Sequence, residues 1–295
     1  MGNSASSVRK GVACILLSAF GFALMAMFVR LADCYGTPLP AIQKAFFRNA
    51  VAAVIAAWVF FGRNRASDVV RLMPHCGRDW VDLILRAVVG TGGIFANFYA
   101  ISRIPVGDAM ALNKTAPFFT LLLSWALVGE RMSLRQSLCV VCAFIGAMLV
   151  VKPGAEAALS CSAFIGLFGG FLAGAAYAFL HRLGRAGVNG AFIILFFSVF
   201  SCAACVPFII LRYVAMTPMQ LAALFGAGAG AAIGQFGITW AYRFAEPRQI
   251  AVYDYTGIIF AAALGFLVFG QVPDALSFLG FAVIIAMGMV LHRKG

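Results

Sequence analysis

Acidic residues are scarce in this chain, ten Asp and Glu in 295 residues against twenty-two Lys and Arg. A membrane-embedded transferase would ordinarily set an acidic or His/Asp cluster beside a nucleophile. The nearest approach here, Asp68, Asp79 and Asp82, is spread along a basic loop. Histidine is scarcer still: His75, His181 and His292 lie near the ends of apolar stretches and cannot converge on a four-ligand zinc site. Among the eight cysteines, Cys139-x-x-Cys142 and Cys202-x-x-Cys205 fall inside apolar runs, where a thiol is a small hydrophobe, and no disulfide framework emerges. The run Gly226-Ala227-Gly228-Ala229-Gly230 is not followed by Lys-Ser/Thr, so it is not a phosphate loop. No metal, no cofactor and no nucleotide-driven step is expected. Charged residues of both signs make up only 11% of the chain, against about a quarter in globular proteins, so little is left from which to build a soluble domain.

What is present in their place is apolar sequence, 63% hydrophobic overall. A helix needs about 20 residues to cross a bilayer core of about 30 Å. Stretches of that order recur near 11–32, 39–61, 82–102, 106–128, 134–151, 161–181, 190–211, 218–242, 249–270 and 276–292. Their apolarity is continuous rather than alternating, which excludes a porin-like barrel. The first run, Gly11 to Ala32, is too long for the apolar region of a signal peptide and reads as the first span. The fold class expected is therefore an all-α polytopic membrane protein with ten transmembrane helices.

Basic residues divide unevenly between the two ends of these spans. Arg9, Lys10, Arg63, Arg65, Arg71, Arg78, Arg131, Arg135, Arg182, Arg185, Arg243, Arg248, Arg293 and Lys294 fall on one side, and Arg30, Arg103, Lys152 and Arg212 on the other. Because cytoplasmic span ends retain Lys and Arg, both termini are expected in the cytoplasm, and the localisation expected is a bacterial inner membrane. The same bias accounts for the net charge of +12 without a nucleic-acid partner.

Sliding the chain by 141 residues lays 99–152 over 240–293 without a gap. Gly129-Glu130 falls on Gly270-Gln271, Thr115 on Thr256, Phe119 on Phe260 and Lys152 on Arg293. A looser match, Phe28-Val29-Arg30-Leu31 with Leu180-His181-Arg182-Leu183, extends the correspondence to the first helix of each half. Two units of five spans follow, residues 1–152 and 153–295. An odd span count inserts the second upside down relative to the first, the inverted-repeat plan of secondary transporters, with substrate near the midplane. Gly166, Gly170 and Gly174, and Gly226, Gly230 and Gly234, are spaced four apart and are read as helix-packing ridges.

The run from Tyr99-Ala100-Ile101 to Asn113-Lys114-Thr115-Ala116-Pro117-Phe118-Phe119, closing on Leu127-Val128-Gly129-Glu130-Arg131, resembles the end of the first repeat in the drug/metabolite transporter superfamily, EamA branch. The second half is similar in Trp240-Ala241-Tyr242, Tyr253-Asp254-Tyr255-Thr256 and Phe269-Gly270-Gln271. The resemblance covers essentially the whole chain. It implies a transporter of small organic solutes with a central cavity between two five-helix repeats. Gln271 departs from the pattern, in which a second Glu usually follows the Gly, so two symmetric acidic hinges are not expected.

A charge inside a span costs from about 2.5 kcal/mol upward and normally faces a cavity or a partner. Lys44 and Arg48 share one face of span two, with Lys44 close enough to the end to snorkel. Arg48 reads equally as cavity-facing or as part of a structural ion pair, and Arg86 is expected to snorkel to the near surface. Lys114 lies about 12 Å into span four and Asp254 about 10 Å into span nine from the opposite side, so the two bracket the midplane. Pro117 lacks the amide that would bond the Asn113 carbonyl, so a helix break is expected there, concentrating the Asn113 amide and the Lys114 cation at one level.

Asn97, Tyr99, Gln235, Tyr253 and Tyr255 supply the remaining polar and aromatic candidates for a substrate pocket. Glu130, just after span four, is a candidate gating partner. One cation facing one anion suits an amino acid or similar amphiphilic solute, with export favoured by the resemblance, and an aspartate at this depth is a candidate proton carrier. The function expected is a secondary transporter, the alternatives being a passive small-solute channel and, behind it, a membrane-embedded enzyme. The partners expected are a small-molecule solute and the lipid bilayer, with proton coupling as one energy source, in a monomer or homodimer.

Overall fold

Small polar residues fix where the helices begin. Ser133 and Thr217 each accept from the backbone N–H three residues on, while Gln136 and Gln220 reach back to the capping residue's own amide. Ser160 and Asn189 cap two further starts in the same way. The computed structural model describes residues 2–63, 73–74, 76–101, 103, 110, 112–129, 132–152 and 160–292. Ten helices account for most of them: α1 (Gly2–Cys34), α2 (Ala41–Arg63), α3 (Gly77–Ile101), α4 (Ala116–Val128), α5 (Leu134–Val151), α6 (Cys161–Arg185), α7 (Gly190–Arg212), α8 (Pro218–Phe244), α9 (Thr256–Phe269) and α10 (Ala275–His292). A short helix, Pro247–Ile250, and a 3-10 turn, Ala251–Tyr255, lead into α9. No strand occurs among the described residues. Seven helical stretches are long and apolar enough to cross a membrane, and α4 and α10 are shorter apolar helices. Trp58, Leu134, Ile210, Leu211 and Leu267 stand exposed on the outside of the bundle, as side chains facing lipid would. The chain is a polytopic, all-helical integral membrane protein.

The helices do not sort into two side-by-side bundles. The most extensive packing runs between halves: α1 against α8, α3 against α6, α2 against α7 and α5 against α10. Exchanging helix n for helix n+5 leaves the pattern intact, since α4 on α6 is matched by α9 on α1, and α2 on α8 by α7 on α3. Directions follow from the residues in contact. A side chain at Gly11 would meet Ala245 and one at Gly237 would meet Ser18, so α1 and α8 are antiparallel. Gly166 beside Ala100 and Gly93 beside Ala173 make α3 and α6 antiparallel as well. The two largest seams between residues 2–152 and 160–292 are therefore both antiparallel.

Glycine makes these seams possible. A methyl group on Gly230 would sit 2.7 Å from the Met25 backbone nitrogen, and one on Gly237 the same distance from that of Ser18. Between them the Ser18 hydroxyl donates to the Gly234 carbonyl at 2.7 Å. Without a hydrophobic drive between helices in lipid, such backbone proximity supplies the dispersion and hydrogen bonding that hold the pair together.

Side chains also staple the connections. Asp274 accepts from Lys152 at the far end of α5 and from the backbone and hydroxyl of Ser277, which hold its carboxyl down to about 2. The Gln43 amide donates to the Val214 carbonyl at 2.8 Å and accepts from the Val214 N–H at 3.0 Å, tying the start of α2 to the α7–α8 connection. Gln43 is buried, so Gln43→Leu leaves both Val214 backbone groups without that partner, at a cost of about 1–3 kcal/mol. Thermal unfolding of the purified variant is expected to show a lowered Tm, and an unchanged Tm would mean that water replaces the staple.

Candidate functional site

Two helices are interrupted at matching places. The Thr115 hydroxyl donates to the Leu112 carbonyl at 2.5 Å just before α4, and the Thr256 hydroxyl donates to the Tyr253 carbonyl at 2.7 Å at the start of α9. Each of these residues lies 141 positions from its counterpart. At the other ends α4 and α9 stop at Gly129 and Gly270, also 141 apart, which both take left-handed conformations (φ 79° and 66°) that glycine adopts without strain. With 13 and 14 residues, α4 and α9 each rise about 20 Å, roughly two-thirds of a bilayer core. Pro117 falls in the first turn of α4, where its missing amide would have no intrahelical partner, so it fixes the start of a half-length helix rather than kinking a long one. This shortens the expected span 106–128, of which 106–109 and 111 lie outside the described residues. The expected span 249–270 is likewise a short helix, a 3-10 turn and α9.

The interruptions bring Lys114 and Asp254 together. Lys114 Nζ lies 3.5 Å from Asp254 Oδ2 and 3.4 Å from the Asp254 carbonyl, with side chains 21% and 15% exposed. The Tyr255 hydroxyl donates to the Lys114 carbonyl at 3.2 Å, so residues at equivalent positions of the two halves touch each other. Tyr255 is fully buried and holds the broken backbone of one half against that of the other. The N-terminal ends of α4 and α9, with their unpaired amides, approach this same level.

A second group of polar side chains surrounds the pair. Tyr177 on α6 lies within electrostatic reach of Asp254, Arg86 and Arg48. Tyr242 on α8, also buried, is within electrostatic reach of Asp254 and Tyr177. Arg86 departs from expectation. It does not snorkel: it is 2% exposed, its guanidinium lies 4.0 Å from the Phe197 ring centroid, and Nη2 donates to Gln235 Oε1 at 3.2 Å. Gly90, one turn further along α3, leaves the space the guanidinium occupies. The sequence signal available was the short i, i+4 spacing of an arginine and a glycine. It does not reveal which way α3 is rotated.

The other candidates divide. Gln235 is buried and joined to Arg86, and Asn97 is half-buried with its Oδ1 lacking a donor among the described residues. Arg48 is half-buried, with its Nε enclosed and unpartnered there. Asn113 sits half-buried in the turn before Lys114. Tyr253 points away, its hydroxyl donating to the Gly288 carbonyl of α10 at 2.9 Å. Tyr99 is exposed and lies under Arg103, 5.4 Å from its ring centroid. Glu130 lies outside the described residues. An ion pair that does join two span ends is Arg182 with Asp82 at 3.1 Å, between α6 and α3, while Lys44 pairs with Asp33 at 2.6 Å on the opposite side of the bundle. Asp33 did not stand out in the sequence, and Asp82 was read only as one of three acids spread along a basic loop, because each lies at a span end where a charge is unremarkable.

Ten interlocked helices with two of them broken at apposed charges define a polytopic membrane protein of the transporter class. Residues 9–152 match the EamA-like transporter family. A pseudopaline exporter of Pseudomonas aeruginosa (strain UCBPP-PA14) is 28% identical over 292 residues, covering 97% of both chains. An S-adenosylmethionine uptake transporter of Rickettsia bellii is 24% identical over 255 residues, 85% of this chain and 83% of its own. A solved crystal structure superposes with a TM-score of 0.74 at 17% identity, covering 94% of this chain and 98% of its own, which shows the shared fold. The EamA-like match covers the first half of the chain, and relatives that are similar over most of its length are named as transporters.

Proposed function

We propose that the protein is a secondary transporter that carries a small organic metabolite with both positive and negative groups, such as an amino acid or a related amphiphile. In this reading it works by alternating access between the inverted repeats 1–152 and 153–295. The observation that carries it is the Lys114–Asp254 pair, where the broken helices of the two halves meet. A cation and an anion held 3.5 Å apart and only partly buried form a loose pair, which a zwitterion can enter by placing its carboxylate on Lys114 and its ammonium on Asp254. The site then exchanges one set of charge-assisted contacts for another, so binding costs little uncompensated desolvation.

Two relatives are named for small metabolites, one as an exporter and one as an uptake transporter, which supports a metabolite cargo. Export is the direction favoured. With both termini cytoplasmic in an inner membrane, the Arg182–Asp82 contact lies on the inner side and the Lys44–Asp33 contact on the outer. Opening one while the other stays closed is the motion that alternating access requires. The test is counterflow in vesicles preloaded with unlabelled amino acids, scored by entry of radiolabelled ones. Saturable, preload-dependent entry is expected. Steady flux without preload dependence would make the protein a channel, and no entry of any amino acid into vesicles holding folded protein would remove amino acids as cargo.

A further inference from the structure

Arg86 is an expensive residue for this fold to keep. It lies about 14 Å along α3 from Gly77, inside a bundle read as spanning a membrane. Of its donors, Nη2 reaches Gln235, while Nε and Nη1 are buried with no acceptor among the described residues. Among the described residues its electrostatic neighbours are Tyr177 and a second arginine, Arg48, whose own Nε is enclosed and unpartnered there. The described acid closest to this group in its connections is Asp254, which pairs with Lys114 and reaches the arginines only through Tyr177. Among the described residues two like charges thus share a low-dielectric site without an anion, an arrangement that costs several kcal/mol in a protein interior unless something negative enters.

The surroundings are shaped to hold the guanidinium in place. Phe197 of α7 covers one face, and a Cβ at Gly90 would come closer to Phe197 (2.9 Å) than carbon atoms pack and would also press on the guanidinium. Gln235 of α8 fixes one edge through an amide acceptor, which leaves the charge unquenched, as a carboxylate partner would not. Arg86 on α3 and Arg48 on α2 come from one half of the chain, and Phe197, Gln235 and Tyr177 from the other, so the group straddles the same inter-half boundary as Lys114 and Asp254.

We infer that Arg86, with Arg48 and Gln235, is an anion subsite that takes a carboxylate of the transported solute. The cargo class is accordingly an amino-acid-type metabolite with at least one carboxylate beyond the zwitterionic pair. The inference rests on the transport reading for the identity of the cargo. The zwitterionic end engages Lys114 and Asp254, and the additional carboxylate reaches past Tyr177 to the arginines. A flat, delocalised guanidinium stacked on an aromatic ring suits a carboxylate better than a compact ammonium would, which is why lysine is not an equivalent residue here.

Binding is read separately from transport, by thermal unfolding of the purified full-length protein in lipid nanodiscs. L-glutamate and L-glutamine are the probes, since they differ only in an additional carboxylate against a neutral amide. Glutamate is expected to raise the Tm of the wild type in a dose-dependent way and glutamine much less. The difference is expected to vanish in Arg86→Met/Gln235→Leu and to shrink in Arg86→Lys. Without ligand, the double variant is expected to unfold at a higher temperature than the wild type, because it removes an uncompensated buried charge together with its amide partner.

Three results would overturn the inference: equal shifts from glutamate and glutamine, an equal shift from inorganic sulfate, or a ligand-free double variant less stable than the wild type. The last would mark Arg86 as a structural tie between α3 and α8. Amino-acid counterflow without a glutamate-specific shift sinks the subsite and leaves the carrier. A glutamate-specific shift without counterflow keeps the anion subsite and removes amino acids as transported cargo.

Discussion

Neutralising either member of the Lys114–Asp254 pair is expected to abolish counterflow, and neutralising both is expected not to restore it. The two charges sit where the interrupted helices meet, and each contacts solute directly in the proposed cycle. Losing one charge-assisted contact costs about 1.5–3 kcal/mol, roughly 10- to 100-fold in affinity. Lys114→Ala or Asp254→Asn also leaves the other charge partly buried and unpaired, which adds to the loss.

The double variant separates the two roles this pair can have. Were Lys114 and Asp254 a structural tie, each single change would strand a charge and lower stability, and Lys114→Ala/Asp254→Asn would recover both stability and transport. With a binding role, the double variant recovers stability and stays inactive, because nothing is left to hold the zwitterion. The measurement is radiolabelled counterflow beside thermal unfolding for the two single variants and the double. Restored transport in the double variant would refute direct binding. The separation of 3.5 Å, with the Asp254 carbonyl sharing the same ammonium at 3.4 Å, favours the binding outcome: the cation is divided between two acceptors and committed to neither.

Features set by local chemistry were legible in the chain. The starts of α5 at Leu134, α7 at Gly190 and α8 at Pro218 fall where the apolar runs begin, because Ser133, Asn189 and Thr217 carry capping side chains that determine the first turn. The displacement of 141 residues recurs as paired threonine turns and paired left-handed glycines. Both are consequences of residue type at one backbone position. Legibility failed where rotation about a helix axis mattered. In a water-soluble helix the polar face points outward, but a lipid-facing helix has no such marker. Hence Tyr99 and Tyr253, polar and suitably placed along the chain, face away from Lys114, while Tyr177, Tyr242 and Arg86 face inward from apolar stretches. Arg86 was read as a snorkelling residue from its distance to a span end alone. The direction it takes is set by Gly90 and Phe197, and Phe197 belongs to a helix more than 100 residues away in sequence.

Widening the α1–α8 seam is expected to be the most damaging packing change, and more damaging than the same change in its counterpart, α3–α6. Gly230 and Gly237 would place a new Cβ 2.7 Å from backbone nitrogens of α1, and Gly21 would place one 2.9 Å from the Gly230 carbonyl. Backbone in the middle of a helix cannot yield as a side-chain tip can, so the helices themselves must separate. Doing so would also lengthen the Ser18–Gly234 hydrogen bond and lose dispersion along the whole interface. At Gly93 and Gly169 the nearest atoms are 3.3 Å and 3.2 Å away, within a few tenths of an ångström of ordinary contact.

Gly230→Ala and Gly237→Ala are therefore expected to eliminate monodisperse folded protein, while Gly93→Ala and Gly169→Ala lower stability by about 1–3 kcal/mol or less. Size-exclusion profiles and Tm values for the four variants would decide it, and equal tolerance in both seams would refute the asymmetry. The asymmetry bears on the proposed cycle. Two interfaces related by the internal exchange of halves must not be equally rigid if the halves are to move relative to each other. The tighter seam, continuous from Gly11 at Ala245 to Gly226 at Phe28, is the natural fixed axis. The looser one, where Gly169 lies beside Asn97 and the next residue, Gly170, meets Thr115, is where motion can reach the broken helix α4 and the Lys114 site.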